Sequence, residues 1–210
     1  MSDKLFESLE TLAKDSKLTL MEYLANRAEY VRFFSYGSNM NKEKFKADME
    51  KAEKDLKLKL SKNEKAKLEL DKLSKKRVLV NFKRGLSNES EQYGLAFSIC
   101  FSLNSRVGGI CHNVHVSVLP AFLKKEGLHS SKGTPSYKLI TVRVSGENQK
   151  VLTLLGLKPK SPIDLARQKI LDALEYVNKS IAGAEEFHVG CSDMVRVKKI
   201  LDEMKNKGET

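Results

Sequence analysis

The chain has 210 residues, 40% of them hydrophobic, and carries 38 Lys and Arg against 27 Asp and Glu, a formal net charge of +11. That length and apolar content suffice for one domain of ordinary size with its own core, with or without an appendage. No window has the positive start and apolar core of a signal peptide, and no run approaches the ~18 apolar residues that cross a bilayer, so a soluble cytoplasmic protein is expected.

In chain order, residues 3 to 30 read as two short helices. Leu5, Leu9 and Leu12 share one face of the first; the second starts near Thr19 as its cap and carries Leu20, Tyr23, Leu24 and Ala28. "VRFFS", residues 31 to 35, is a buried strand. From Asn41 to about Lys76 the pattern is helical with a break at Ser61-Lys62-Asn63, a helical hairpin. Its Lys residues alternate with Glu and Asp, the pattern of a solvated face laced with i,i+4 pairs. The runs "RVLVNFKRGLS", "YGLAFSICFSL", "GGICHNVHVSV", "SYKLITVRVS" and "KVLTLLGL" are β-rich and bounded by turn residues. "LPAFLKKEG" is a short helix ending at Gly127. "SPIDLARQKILDALEYVNKS" starts a helix with Ser161 as cap and Pro162 in its first turn, and "CSDMVRVKKILDEMKNK" is the last helix. Strands that neighbour in sequence, with one helix inserted between two of them, predict an α+β fold with a mixed and closing sheet. The division predicted is an N-terminal helical extension over 1–30, a main domain over 31–200 with the Lys-rich insertion at about 41–76, and a tail from 201 to 210.

Two places carry chemistry. After the first strand comes Tyr36-Gly37-Ser38-Asn39, then a helix. Gly37 allows a tight turn and close approach of a ligand to the main chain. The N–H groups of Gly37, Ser38 and Asn39 lack sheet partners, and donors near a helix N-terminus hold a carboxylate, phosphate or developing oxyanion. The same residues also read as a turn in which Ser38 or Asn39 caps the next helix, with Tyr36 packed beneath. The second place is Glu126, four residues after Phe122 and on the same side of its helix. With Phe122 and Leu123 facing inward, a carboxylate there is partly desolvated and suited to general-base work; the plainer reading is a surface glutamate at a helix end.

Other candidates carry less. His112 and His115 point to opposite faces of a strand and cannot chelate one ion together. Cys100, Cys111 and Cys191 are scattered, without metal-ligand spacing; Cys100 and Cys111 lie in apolar runs as small hydrophobes. No metal or cofactor site is expected. The +11 charge draws polyanions, yet no aromatic interleaving or nucleic-acid motif accompanies it.

Taken together, "FFSYGSNMN", "RVLVNFKRGLS", "GLAFSICFS", "VGGICHNVHVSVLPAFLKKEG" and "SYKLITVRV" resemble the γ-glutamylcyclotransferase-like superfamily in order and spacing, over roughly residues 31 to 177. The "SPIDLARQKILDALEYV" helix is similar to the family's "P-S-x-x-Y" helix. The resemblance implies a small mixed αβ barrel in which Tyr36, Gly37, Ser38 and Asn39 bind substrate, Glu126 is the catalytic acid/base and Tyr137 is a pocket tyrosine. It implies release of 5-oxoproline from a γ-glutamyl compound: the substrate's α-amino group attacks its own γ-carbonyl and expels an amine, without metal, cofactor or covalent enzyme intermediate. The chain departs from the family at Leu123, which replaces an aspartate, at Phe122, which replaces a leucine, in the longer loop before Tyr137, and in "VLTLLGL", which lacks a second pocket tyrosine. A binding or interaction module on the same scaffold, and a nucleic-acid-associated protein, are the competing readings.

Overall fold

The computed structural model describes residues 14–25, 30–55, 74–90, 93–116, 119–125, 128, 136–158, 160 and 166–207. At its centre is β1 (Tyr30–Ser35), whose side chains alternate between two cores. Val31 and Phe33 face one core and Phe34 the other, as the period of two along a strand requires. A strand covered on both faces reads as the near-continuous apolar run seen in the sequence.

Four more strands, β2 (Ser74–Ser90), β3 (Gly94–His115), β4 (Tyr137–Val142) and β5 (Val151–Gly156), complete a mixed sheet in the order β2-β3-β1-β5-β4. β1 runs antiparallel to β3, Ser35 opposite Ile110, and parallel to β5, Phe33 opposite Leu152. The edge strand β2 is tied down at both ends. Leu79 bridges to Val144 and the Ser145 N–H donates to the Val78 carbonyl at 2.8 Å. Toward the other end, the Glu89 N–H reaches the Lys158 carbonyl at 2.7 Å and the Lys160 N–H the Ser87 carbonyl at 2.9 Å. These ties curl the sheet into a half-barrel, the α+β architecture expected from the sequence.

Helices cover both faces. α1 (Lys14–Leu24) and α3 (Leu119–Lys125) supply Leu20, Leu24, Phe122 and Leu123 to the Phe33 side, where the Phe33 and Phe122 rings meet edge-on at 4.7 Å. α4 (Arg167–Glu186) and α5 (Ser192–Lys207) cover the Phe34 side. α2 (Lys42–Asp55) follows β1 and packs against α3. The first predicted helix (3–15) apart from Lys14 and Asp15, which fall in α1, the second arm of the helical hairpin and the tail end (208–210) lie outside the described residues, as does Ala28. β2 already begins at Ser74, so strand replaces the last predicted helical residues.

Three boundaries differ from the expectations. α1 starts at Lys14, so Thr19 lies inside it rather than capping it; buried Ser16, in its first turn, accepts the Leu139 N–H of edge strand β4 at 3.1 Å. The cap of α4 is Ala166 rather than Ser161, which falls outside the described residues with Pro162. The strands predicted at 93–103 and 108–118 are one long β3. Asn81 and Asn104 take left-handed conformations, φ 63° and 60°, as the pairing slips beside Val80, and asparagine tolerates that region.

Cys111 is buried, as expected, and burial pushes its thiol up to about 11. Cys100 is exposed: it sits opposite Lys83 on a stretch of β3 whose neighbour Phe101 is 66% exposed, so an apolar run did not mean a covered one. A raised pKa keeps Cys111 as the neutral thiol until the pH climbs well above 9, and the thiolate is the reactive form. At pH 8, maleimide should therefore modify Cys100 in the native protein and reach Cys111 only after denaturant is added. Mass spectrometry of peptides from labelled protein checks this, and native labelling of Cys111 at the rate of Cys100 contradicts it.

Candidate functional site

The Tyr36–Asn39 stretch leaves the end of β1 and enters a single 3₁₀ turn, Ser38–Met40. The Met40 N–H bonds to the Gly37 carbonyl and the Asn41 N–H to the Ser38 carbonyl, each at 3.0 Å. The side-chain cap of α2 is Asn41, whose Oδ1 accepts the Lys44 N–H at 2.9 Å. Ser38 and Asn39 therefore do not cap that helix. The 3₁₀ turn sets them back from it, one turn too early to reach its first N–H groups.

Three elements hold this loop, β5, β2 and α4. Tyr36 is buried and its hydroxyl donates to the Leu154 carbonyl on β5 at 2.8 Å. Arg84 of β2, its side chain only 1% exposed, donates to the Tyr36 carbonyl at 2.6 Å and to the Gly108 carbonyl at 3.3 Å. Its remaining nitrogens form a two-pronged pair with Asp193 in the first turn of α5, at 2.8 and 2.5 Å. The described peptide bonds are all trans. In a trans peptide the carbonyl and the following N–H point in opposite directions, so Arg84's grip on the Tyr36 oxygen aims the Gly37 N–H away from the guanidinium.

On the other side stands Tyr176 of α4. Its buried phenol oxygen accepts the Phe97 N–H at 3.1 Å and the Ser38 N–H, and meets the Ser38 hydroxyl. Burial pushes the phenol's pKa up, outweighing those hydrogen bonds and the nearby Lys44 ammonium, which favour the anion. An oxygen that accepts twice directs its own proton away from both donors, toward the Ser38 hydroxyl or a bound anion. A Cβ on Gly37 would lie 2.7 Å from this oxygen, so glycine is required here for close approach at an ordinary negative φ of −133°. Gly183 of α4 is the counterpart: a Cβ there would run into the Met40 and Asn41 main chain, so a glycine that weakens a helix interior lets α4 lie directly on the 3₁₀ turn.

Tyr137 begins β4, half-buried, and its hydroxyl donates to the Phe97 carbonyl at 3.3 Å. Phe97 thus gives its N–H to Tyr176 and its carbonyl to Tyr137, linking both tyrosines to the loop. Glu126 lies outside the described residues. The helix before it, α3, is anchored by fully buried Phe122 and Leu123, and the Leu128 N–H bonds back to the Leu123 carbonyl at 3.2 Å. Among the described residues no cluster of three or more His, Cys, Asp or Glu could hold a metal ion, and no helix is long and apolar enough to cross a membrane.

No protein-family model matches the chain, and no curated protein sequence matches it. Among solved structures, one titled "Gamma-glutamyl cyclotransferase" superposes with a TM-score of 0.52 at 18% identity, over 83% of this chain and 87% of that one. YkqA from Bacillus subtilis gives 0.53 at 16% identity, over 90% of this chain but 58% of its own, so this chain spans less than two thirds of YkqA's length. The fold is γ-glutamylcyclotransferase-like. Within that fold the structure brings Tyr36, Gly37, Ser38 and, through Phe97, Tyr137 to one place. It adds Tyr176, Arg84 and Asp193, which the sequence reading did not single out. Gly183-Ala184 inside a helical pattern was the one available signal that α4 approaches another backbone closely.

Two predictions follow from this clamp. Gly37→Ala should cost about 1–3 kcal/mol by overpacking, and Tyr176→Phe a similar amount by orphaning two N–H groups. Because phenylalanine removes the oxygen that the new methyl would strike, the double variant should lose less than the sum; additive losses in urea titrations would refute the contact. Asp193→Ala should cost about 1–3 kcal/mol by taking the carboxylate from the buried Arg84 guanidinium, which keeps only its two carbonyl partners. Asp193→Asn should cost less, and equal losses would show that the charge is not what matters.

Proposed function

We propose that this protein cyclises a γ-glutamyl amine or γ-glutamyl amino acid to 5-oxoproline and releases the amine. The observation that carries this reading is the loop after β1, a turn held by Arg84 on one side and Tyr176 on the other within a γ-glutamylcyclotransferase-like fold. Holding main-chain donors in place before the substrate arrives is what electrostatic stabilisation of an oxyanion requires.

In the proposed reaction the substrate's α-nitrogen bonds to its γ-carbon, the scissile C–N bond breaks, and one proton passes from the attacking nitrogen to the leaving one. Glu126 carries that proton. α2, which begins just after the loop, packs against α3, the helix that precedes Glu126 in the sequence, and this supports giving Glu126 that role. The Gly37 N–H and the Ser38 and Tyr176 hydroxyls receive the substrate carboxylate or the tetrahedral oxygen. Bending the flexible glutamyl chain for attack is the larger effect, up to ~7–11 kcal/mol in intramolecular systems, against ~10²- to 10⁴-fold for proton transfer.

One observation favours a second reading, a binding module without turnover. β5 carries buried Leu154 and no tyrosine, and its Leu154 carbonyl is occupied by Tyr36. Incubation with a panel of γ-glutamyl dipeptides and amines separates the two. The enzyme reading expects 5-oxoproline with at least one substrate and a ~10²-fold or greater loss in kcat for Glu126→Gln. No product from any panel member favours the binding module, and full activity in the Glu126→Gln protein removes that residue from the mechanism.

A further inference from the structure

A cavity of about 310 Å³ lies where the β2–β3 hairpin tip meets the segment after β5 and the start of α4. Lys158, Lys160 and Lys169 line it together with Ser90, Ser136 and one carboxylate, Glu89. Its walls are fixed by the main chain. Asn88, 1% exposed, accepts the Lys158 N–H at 2.9 Å and donates to the Ser136 carbonyl at 3.1 Å, so one buried amide joins two walls. The Glu89 and Lys160 N–H groups close the third junction at 2.7 and 2.9 Å.

Lysines outnumber carboxylates in this lining. Glu89 is already engaged by Lys160 at 2.9 Å, and Lys169 has Asp172 at 3.4 Å, while Lys158 makes no ion pair among the described residues. Lys169 also sits in the first turn of α4, which contains no acidic residue and whose cap, Ala166, offers no side-chain acceptor. A lysine at that end opposes the helix dipole.

We propose that this cavity is an anion site for a small ligand bearing at least two negative charges on oxygen, either a phosphate group or a pair of carboxylates. Lys158 and Lys169 supply the counter-charge, and the Ser90 and Ser136 hydroxyls donate hydrogen bonds. The site is distinct from the Tyr36–Asn39 loop. Lys169 and Tyr176 are seven residues apart on α4, two helical turns or ~10 Å along the axis. The proposal stands whether or not the chain cyclises γ-glutamyl compounds.

Amide NMR titrations of the full chain test it, with inorganic phosphate and succinate as separate ligands and sodium chloride at matched ionic strength as control. Saturable shifts at Gly94, Lys158 and Lys169 with phosphate or succinate, absent with chloride, are expected. The responding ligand identifies the anion chemistry. Lys158→Gln and Lys169→Gln should each weaken binding by ~10-fold or more, as loss of a charge-assisted hydrogen bond does. Lys83→Gln, an exposed lysine on β2, should leave it unchanged. Shifts no larger than those with chloride, or equal in all three variants, overturn the proposal; amide spectra of the free variants confirm that each is folded.

Discussion

The Tyr36–Gly37 peptide is the unit on which the rest of the site depends. Its carbonyl is taken by Arg84, its tyrosine side chain is fixed to β5, and its glycine lies under the oxygen of Tyr176. A peptide plane held at its oxygen cannot rotate, so the direction of the next N–H follows from a guanidinium forty-eight residues away. A surface turn of the same sequence would sample many orientations. Here burial removes that freedom, because any other orientation costs the buried Tyr36 carbonyl its partner and Arg84 one of its hydrogen bonds.

The sheet supplies the geometry that makes this clamp possible. β1 lies between an antiparallel and a parallel neighbour, so its end is flanked by β3 on one side and β5 on the other. Curling of the sheet, fixed by the ties at both ends of β2, carries Arg84 and Phe97 of the hairpin over the loop. α4 then closes the arrangement from outside. Gly183 lets it lie on the main chain of Met40 and Asn41, and seven residues earlier Tyr176 reaches a main-chain amide. The same helix contributes its first turn to the lysine-lined cavity, so α4 shapes both places.

Much of the candidate site could be read along the chain because its parts are local. Tyr36 through Asn39 are consecutive, and a strand interrupted by Tyr-Gly-Ser-Asn announces a turn by composition alone. What such a turn does with its donors is a different matter. Ser38 gives its N–H to Tyr176, and the cap falls to Asn41, because the chain spends one 3₁₀ turn before the helix begins. Cys100 shows the same limit: local hydrophobicity places a residue in a strand, but its cover depends on what packs above it.

Periodicity within single segments sufficed for β1, β5, α3 and α5 and for the inward faces of Phe122 and Leu123, and the order of the elements along the chain for the α+β class. Only the tertiary structure decided that β3 is one strand, that α4 is capped at Ala166, and that Arg84, Asp193 and Tyr176 converge on one peptide. Those pairings span roughly fifty to one hundred and forty positions, and no short-range pattern encodes a contact whose partners meet only after the sheet has curled. The physical reason is that propensity acts within a turn or two of chain, whereas burial and hydrogen-bond satisfaction are settled by whatever the fold brings alongside.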